Sequence, residues 1–114
     1  MKIDKSLITG STTMLILSLL KDGDKYGYEM IKELEKKSDE TFSLKEGTLY
    51  PILHGLEVDG MVESYSKESE MGRKRKYYRL TKKGLRLLEE KKEEWNLFAS
   101  KVNKVLGGSG YALA

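Results

Sequence analysis

The side chains with the clearest chemical potential are the cations between Gly72 and Arg86. This window holds eight of the chain's 21 Lys and Arg residues and no acid, whereas the rest of the chain carries 13 basic and 18 acidic residues, a net charge of −5. A concentrated basic patch favours a polyanion partner, because each neutralised phosphate releases counterions. A solvated charge run is the alternative. Tyr77 and Tyr78 inside the run, and the glycine before it, indicate a hairpin that presents the charge.

The chain offers little of what catalysis needs. It has one histidine and no cysteine, hence no thiolate nucleophile and no cysteine-based zinc site. It has no glycine-rich phosphate loop, and no nucleophile stands at a recognisable spacing from a base. We therefore expect no enzyme, no cofactor and no metal site. The acidic pairs at 89–90 and 93–94 lie in a lysine-rich segment and are expected to form its solvated face.

The single tryptophan, Trp95, is the second candidate for a binding function. It belongs to a seam of positions spaced alternately by three and four residues. The seam runs through Leu85, Leu88, Lys92, Trp95, Ala99, Val102 and Leu106. Lys92 and Ala99, a charge and a small residue, fill a helix interface poorly. An indole beside such a gap is a platform for a planar aromatic or cationic ligand, and an ordinary core or interface position is the alternative.

Length and composition limit the fold that must position these residues. The chain has 114 residues, 34% charged and 39% hydrophobic, which indicates one folded domain with an extension. The longest apolar run, residues 14–20, is far shorter than the roughly 20 residues that cross a bilayer. The N-terminus lacks the apolar stretch of a signal peptide. We expect a cytoplasmic protein with no membrane partner.

Apolar spacing and turn signals predict a mainly α-helical fold with one small β-hairpin (α+β). Helical spacing and stop residues predict three helices, at about 14–21, 28–37 and 45–57, the last closed by Gly60. Alternation predicts two strands, at 61–67 and 76–80, joined by a loop with Gly72 at its turn.

A long last helix is expected to follow, capped by Thr81 and reaching about Leu106. At 1.5 Å per residue it is about 39 Å long, longer than a domain this small can cover. We expect its distal half to pack on a second copy of the chain, and folding back on its own domain is the alternative. The predicted division is a DNA-binding domain at 8–80, a dimerisation helix at 81–106 and a flexible tail at 107–114.

Three helices followed by a hairpin is the order of a winged helix-turn-helix, in which the third helix enters the major groove and the hairpin is the wing. The third helix offers hydroxyls and an imidazole opposite its apolar face, but no Asn, Gln or Arg for bidentate base recognition. We therefore expect specificity to depend partly on groove shape. The candidate DNA contacts are Tyr26, Lys45, Gly47, Thr48, Tyr50, His54, Arg73, Lys74, Arg75 and Lys76.

These residues resemble the PadR-like transcriptional regulators, in particular their short subfamily. Four stretches between about residues 8 and 106 carry the resemblance in order: 26–29 (YGYE), 47–53 (GTLYPIL), 56–62 (LEVDGMV) and 72–81 (GRKRKYYRLT). One departure is Gly55, where the family usually has a basic residue. A glycine inside a helix costs about 1 kcal/mol relative to alanine, and a possible phosphate contact is lost.

The resemblance implies a dimeric repressor whose last helices pair across a two-fold axis. In the ligand-responsive members of the short subfamily it also implies a tryptophan that lines a pore at the dimer interface, and Trp95 stands at the matching place. The candidate ligand contacts are Ile8, Met14, Lys92, Trp95, Phe98 and Ala99. The candidate interface residues are Leu85, Leu88, Trp95, Val102 and Leu106.

The sequence thus predicts a homodimeric winged-helix repressor that binds an inverted-repeat operator on double-stranded DNA. A small planar hydrophobic ligand, aromatic or cationic, is expected to release it. Two alternatives stay open: a basic module that binds RNA or an acidic protein, and a constitutive regulator without a ligand. The sequence does not define the operator, the ligand, the target genes or which of Tyr77 and Tyr78 faces DNA.

Overall fold

The computed structural model describes residues 2–108, and its elements follow the predicted order of helices, hairpin and long helix. It confirms a mainly α-helical fold with a small antiparallel sheet, and it adds one short helix and one short strand. In chain order the elements are α1 (Lys5–Thr9), α2 (Thr12–Lys21), β1 (Lys25–Tyr26), α3 (Gly27–Lys37), α4 (Glu46–Val58), β2 (Val62–Glu68), β3 (Lys74–Leu80) and α5 (Lys82–Leu106).

The two added elements are too short to leave a periodic pattern in the sequence. Helix α1 has five residues and is capped by Asp4, whose side chain accepts a hydrogen bond from the Ser6 amide at 2.9 Å. Strand β1 has two residues and is defined by its partner strand, since Tyr26 pairs with Tyr77 of β3. The sheet therefore has three strands in the order β1-β3-β2.

The core lies between the helices and one face of the sheet. Its buried side chains are Ile16, Leu17, Leu19, Leu20, Met30, Leu34, Leu44, Leu49, Leu53, Leu56, Val62, Tyr78 and Leu88. Leu88 is only 1% exposed, because the beginning of α5 packs against α2 of its own domain. This burial corrects the expectation that Leu88 faces a partner chain.

Helix α4 ends in a Schellman motif, as the predicted stop at Gly60 requires. The amide of Met61 donates to the carbonyl of Leu56 at 2.8 Å, and the amide of Gly60 donates to that of Glu57 at 3.0 Å. Gly60 has φ = +75°, a left-handed conformation that side chains disfavour and glycine adopts freely. The chain thus turns directly from α4 into β2.

The hairpin that forms the wing is longer than predicted, because the charged residues at its tip pair as strand residues. The pairing extends from Val62–Leu80 to Glu68–Lys74, and the turn at 69–73 closes with the Ser69 amide donating to the Arg73 carbonyl at 2.8 Å. Gly72 lies in the turn with φ = +78°, which confirms its predicted role.

The wing joins α5 through a single residue, Thr81. Its side chain accepts a hydrogen bond from the Gly84 amide at 3.0 Å, which confirms the predicted cap, and its own amide donates to the Met61 carbonyl at 3.1 Å. Gly84 is buried against this carbonyl: a Cβ at Gly84 would lie 2.9 Å from the Met61 carbonyl carbon and 2.7 Å from Cδ1 of Leu80. The first turn of α5 therefore lies directly on the chain between α4 and β2.

Helix α5 extends beyond the domain that it starts from. Its 25 residues span about 38 Å at 1.5 Å per residue, and the described chain measures 55 × 31 × 21 Å. Its exposed apolar side chains are Leu85, Trp95, Leu97, Phe98, Val102, Val105 and Leu106. Most of the expected flexible tail, residues 109–114, lies outside the described residues. Within 2–108, no helix is both long and apolar enough to cross a membrane.

Candidate nucleic-acid interface

Helix α4 separates an apolar face from a polar one. Leu49, Leu53 and Leu56 are buried. The side chains on the other face are exposed, and they include the predicted contacts Lys45, Gly47, Thr48, Tyr50 and His54. Lys45 is the N-cap residue and makes no side-chain capping bond, so the amides of the first turn remain available to an anion such as a phosphate.

Tyr50 connects this exposed face to α3. Its ring lies against Gly27, where a Cβ would be 2.7 Å from Cζ of Tyr50. Burial raises the pKa of Tyr50 above its ordinary value, with a further contribution from Glu46, so the hydroxyl remains a proton donor at neutral pH. Tyr50 is still 43% exposed, and it therefore combines helix packing with an accessible hydroxyl.

Gly55 lies on the exposed side of α4 and has no packing reason to be glycine. A Cβ at this position would meet no atom within 4 Å. We predict that Gly55→Ala raises the free energy of unfolding by about 1 kcal/mol, because alanine loses less backbone entropy in a helix. Urea denaturation of the two proteins measures the change. An equal or lower stability would show that the surroundings of Gly55 are more crowded than described.

The wing divides its cations between the two faces of the sheet, because side chains alternate along a strand. Lys74 and Lys76 lie on the face that carries the buried Tyr78. The Lys76 ammonium is 3.7 Å from Oε1 of Glu57 in α4 and 5.5 Å from the Tyr78 ring centroid. Arg75 lies on the opposite face. The predicted wing contacts therefore form two surfaces that meet at the turn.

The outer face of the sheet carries three tyrosines side by side, which we call the tyrosine row: Tyr26, Tyr77 and Tyr65. Each belongs to a different strand, and Tyr77 pairs with both of the others. The Tyr26 and Tyr77 ring centroids are 5.4 Å apart at 75°, and those of Tyr65 and Tyr77 are 5.8 Å apart at 16°. Tyr78, only 4% exposed, is the core tyrosine, and Tyr77 is the outer one.

A polar cluster closes the row on the Tyr65 side. The Tyr65 hydroxyl donates to Asp24 at 2.7 Å, and this bond raises the pKa of Tyr65. Nε of Arg79 lies 3.3 Å from the same carboxylate, and its Nη1 lies 3.6 Å from Glu63. Attraction to Asp24 raises the pKa of Arg79. The charge of Arg79 is thus offset within the protein.

The tyrosine row and its cluster were missed by the sequence prediction. Tyr65 and Asp24 are 41 residues apart, and β1 consists of only two residues. The alternation within 74–80 could have assigned Tyr77 and Arg79 to one face, but it could not decide which face is buried.

A cavity of about 680 Å³ lies between α1, α2, the α3–α4 connection and α5. Four of the predicted ligand residues line it: Ile8, Met14, Trp95 and Phe98. The ring centroids of Trp95 and Phe98 are 6.2 Å apart. The structure therefore places these side chains, from both ends of the sequence, around one space.

Two predicted ligand residues, Lys92 and Ala99, do not line this cavity. The cavity-lining residues of α5 are Lys91, Glu94, Trp95 and Phe98, which share one helix face by their spacing of three and four. Lys92 lies beside that face, with its ammonium 3.8 Å from Oε2 of Glu89.

The α3–α4 connection supplies two cavity residues that the sequence did not indicate, Thr41 and Phe42. The Phe42 amide donates to the Ser38 side chain at 3.0 Å, and the same hydroxyl donates to the Leu34 carbonyl at 2.7 Å. Phe42 is thereby held to the end of α3, so one wall of the cavity belongs to the helix-turn-helix itself.

Comparison with known families and structures gives one consistent result. Residues 16–90 match the Transcriptional regulator PadR-like family. A transcriptional regulator from Clostridium thermocellum has a TM-score of 0.80 and 41% identity, over 87% of this chain and 96% of that one. The PadR-like transcriptional regulator BC4206 from Bacillus cereus has a TM-score of 0.77 and 36% identity, over 91% and 99%.

A curated relative agrees with the solved structures. Transcriptional regulator Rv3488 of Mycobacterium tuberculosis is 33% identical over 96 residues, which cover 84% of this chain and 83% of the relative. Family members are transcriptional regulators and not enzymes. With three helices, a wing and a long last helix in the family's order, this chain belongs to the PadR-like family of transcriptional regulators.

Proposed function

We propose that the chain is a homodimeric repressor that binds an inverted-repeat DNA operator and is released by a small planar aromatic or cationic ligand. The observation that carries the proposal is the exposed polar face of α4 beside a basic wing, in a chain of this family. In this arrangement α4 enters the major groove, and the wing contacts the adjacent phosphates.

The proposed DNA contacts differ in what they contribute. Thr48, Tyr50 and His54 reach base edges or phosphates from the exposed side of α4, and Lys45 and Gly47 meet a phosphate at its N-terminus. The wing cations 73–76 supply sequence-independent affinity. Because α4 lacks the long amide and guanidinium side chains that read bases in pairs, much of the specificity comes from groove shape.

The distal half of α5 supports the dimer. Trp95 is 47% exposed and Phe98 is 57% exposed, and Leu97, Val102 and Leu106 continue the apolar surface. Contiguous exposed apolar surface marks a protein interface. Two copies related by a two-fold axis present their α4 helices to half-sites one helical turn apart, about 34 Å, or a multiple of it.

The cavity supports the ligand. Trp95 and Phe98 line it and also belong to the exposed surface of α5, so the cavity adjoins the proposed interface. Aromatic walls with Lys91 and Glu94 at the side suit a planar molecule with one polar or charged group. A ligand releases DNA only if it binds the DNA-free arrangement of the dimer more tightly than the DNA-bound one.

Fluorescence anisotropy tests the operator part of the proposal. The labelled duplex comes from the promoter of the protein's own gene, and a shuffled duplex of equal composition is the control. We expect at least ~10³-fold tighter binding to the promoter at physiological salt, with two chains per duplex. Equal affinity for both duplexes, fading together with salt, would instead favour the general polyanion module.

The ligand part is tested with menadione, a neutral planar aromatic, as the probe. Trp95 is the only tryptophan, so its emission reports the cavity directly. We expect saturable quenching and a parallel loss of promoter binding. Quenching without loss of DNA binding would refute ligand release, and the absence of quenching would favour a regulator controlled by its abundance.

A further inference from the structure

Each tyrosine of the tyrosine row has one cation over its ring. The Arg75 guanidinium carbon is 4.4 Å from the ring centroid of Tyr26, and the Arg79 carbon is 4.9 Å from that of Tyr65. The Lys67 ammonium is 5.6 Å from the ring centroid of Tyr77. The ring faces are therefore already used, and the row holds cations in place.

The cations of this face differ in what else binds them. Arg79 pairs with Asp24 and Glu63. Arg75 and Lys67, which face each other across the two strands, have no acid within 4 Å among residues 2–108. Their charge is available to a polyanion, whereas that of Arg79 is not.

Tyr26 differs from the other two tyrosines because it is fixed to the helix-turn-helix. It is the N-cap residue of α3, and its amide donates to Oε1 of Glu29 at 3.1 Å. Its strand pairing with Tyr77 holds the other side of the residue. The ring is thus a platform of fixed position between α3 and the wing.

A guanidinium can stack on this platform and bind a phosphate at the same time. Stacking uses the planar face of the group, and the N–H donors point outward in the plane. Because the side chain is ordered before DNA arrives, less conformational entropy is lost on binding. Arg75 is half-buried, in agreement with such ordering.

We propose that Tyr26 is a positioning residue that acts on DNA only through Arg75. It holds the guanidinium of the wing at a fixed place relative to α3 and α4, so that the wing contact and the groove contact are made in one register. The inference rests on the proposed function, and it replaces direct DNA contact as the role of Tyr26.

A double-mutant cycle on the promoter duplex tests the inference. Tyr26→Leu is expected to weaken binding about tenfold, because an unrestrained Arg75 must be ordered on binding. Tyr26→Phe keeps the ring and is expected to bind within about twofold of the unmodified protein. In an Arg75→Gln background, Tyr26→Leu should cost less than about twofold. Full additivity of the two losses, or wild-type binding by Tyr26→Leu, would overturn the proposal.

Two controls keep the result interpretable. Tyr28→Leu removes a tyrosine of the same helix that carries its own cation, Lys32, 5.4 Å from the ring centroid, and it should leave binding within about twofold. If Tyr26→Leu does not fold, Arg75→Lys replaces it, since lysine keeps the charge without a planar fork. Arg75→Lys should also weaken binding about tenfold, and unchanged binding would refute the inference.

Failure of the inference can be told apart from failure of the proposed function. If the unmodified protein does not prefer its promoter, the proposed function fails, and the cycle is then measured on the shuffled duplex. If the promoter is preferred and the losses are additive, the repressor stands and only the coupling of Tyr26 to Arg75 is refuted.

Discussion

Gly84→Ala is expected to lower the free energy of unfolding by about 3 kcal/mol, at the upper end of overpacking costs. The new Cβ would overlap the carbonyl group of Met61 and lie 2.7 Å from Cδ1 of Leu80. Leu80 can rotate, but the Met61 carbonyl accepts the Thr81 amide and belongs to the end of α4. Relief requires moving α5 as a whole. Urea denaturation and a melting temperature lowered by more than about 10 °C would show the loss.

Gly55→Ala is the matched control for this variant. It makes the same chemical change inside a helix, but the new methyl group meets open space, and its effect has the opposite sign. If Gly84→Ala were as stable as Gly55→Ala, the close contact between α5 and the chain at Met61 would not exist in solution.

The second large effect is expected from the wing turn. Arg73→Gln combined with Lys74→Gln removes two exposed cations per chain and should weaken promoter binding about 100-fold. Each lost phosphate contact lowers the slope of log K against log salt by about 0.9, so four contacts in a dimer lower it by about 3.6. Anisotropy titrations between 50 and 200 mM salt, a range of about fourfold, measure both quantities.

A matched variant separates contact from net charge. Lys101→Gln with Lys104→Gln removes the same charge from the distal end of α5, where both side chains are exposed. This variant should retain most of the affinity and the slope. Equal losses in the two variants would mean that overall charge, and not the wing, determines the affinity.

The sequence predicts best those elements whose signals are local. Thr81 and Gly60 define the start of α5 and the end of α4 because each bonds to backbone within three to five residues along the same helix. Helix α4 itself follows from the spacing of Leu49, Leu53 and Leu56. These interactions are complete within a few turns, so one stretch of sequence contains all the information.

What the sequence could not supply depends on which surfaces meet. Leu88 fits a heptad seam and the domain core equally well, and only the docking of α2 on α5 decides between them. Lys91 replaces Lys92 at the cavity because a rotation of one residue about the helix axis changes the face. The tyrosine row requires the register of three strands, two of which are separated by the whole helix-turn-helix.

The cavity shows both cases in one site. The family resemblance indicated Trp95, Phe98, Met14 and Ile8, and the structure brings all four together. Thr41 and Phe42 carry no family signal that the sequence could use. They become cavity residues because the connection between α3 and α4 packs toward the N-terminal helices.

The one-residue junction at Thr81 gives α5 the properties of a rigid lever. Leu80 ends a paired strand and Lys82 begins the helix, so no slack segment absorbs rotation between them. A tilt of about 5° at this fulcrum displaces the far end of a rod of about 38 Å by about 3 Å. In the opposite direction, small sliding of the distal ends past each other is geared down to a slight, faithful reorientation of the domain that carries α4 and the wing.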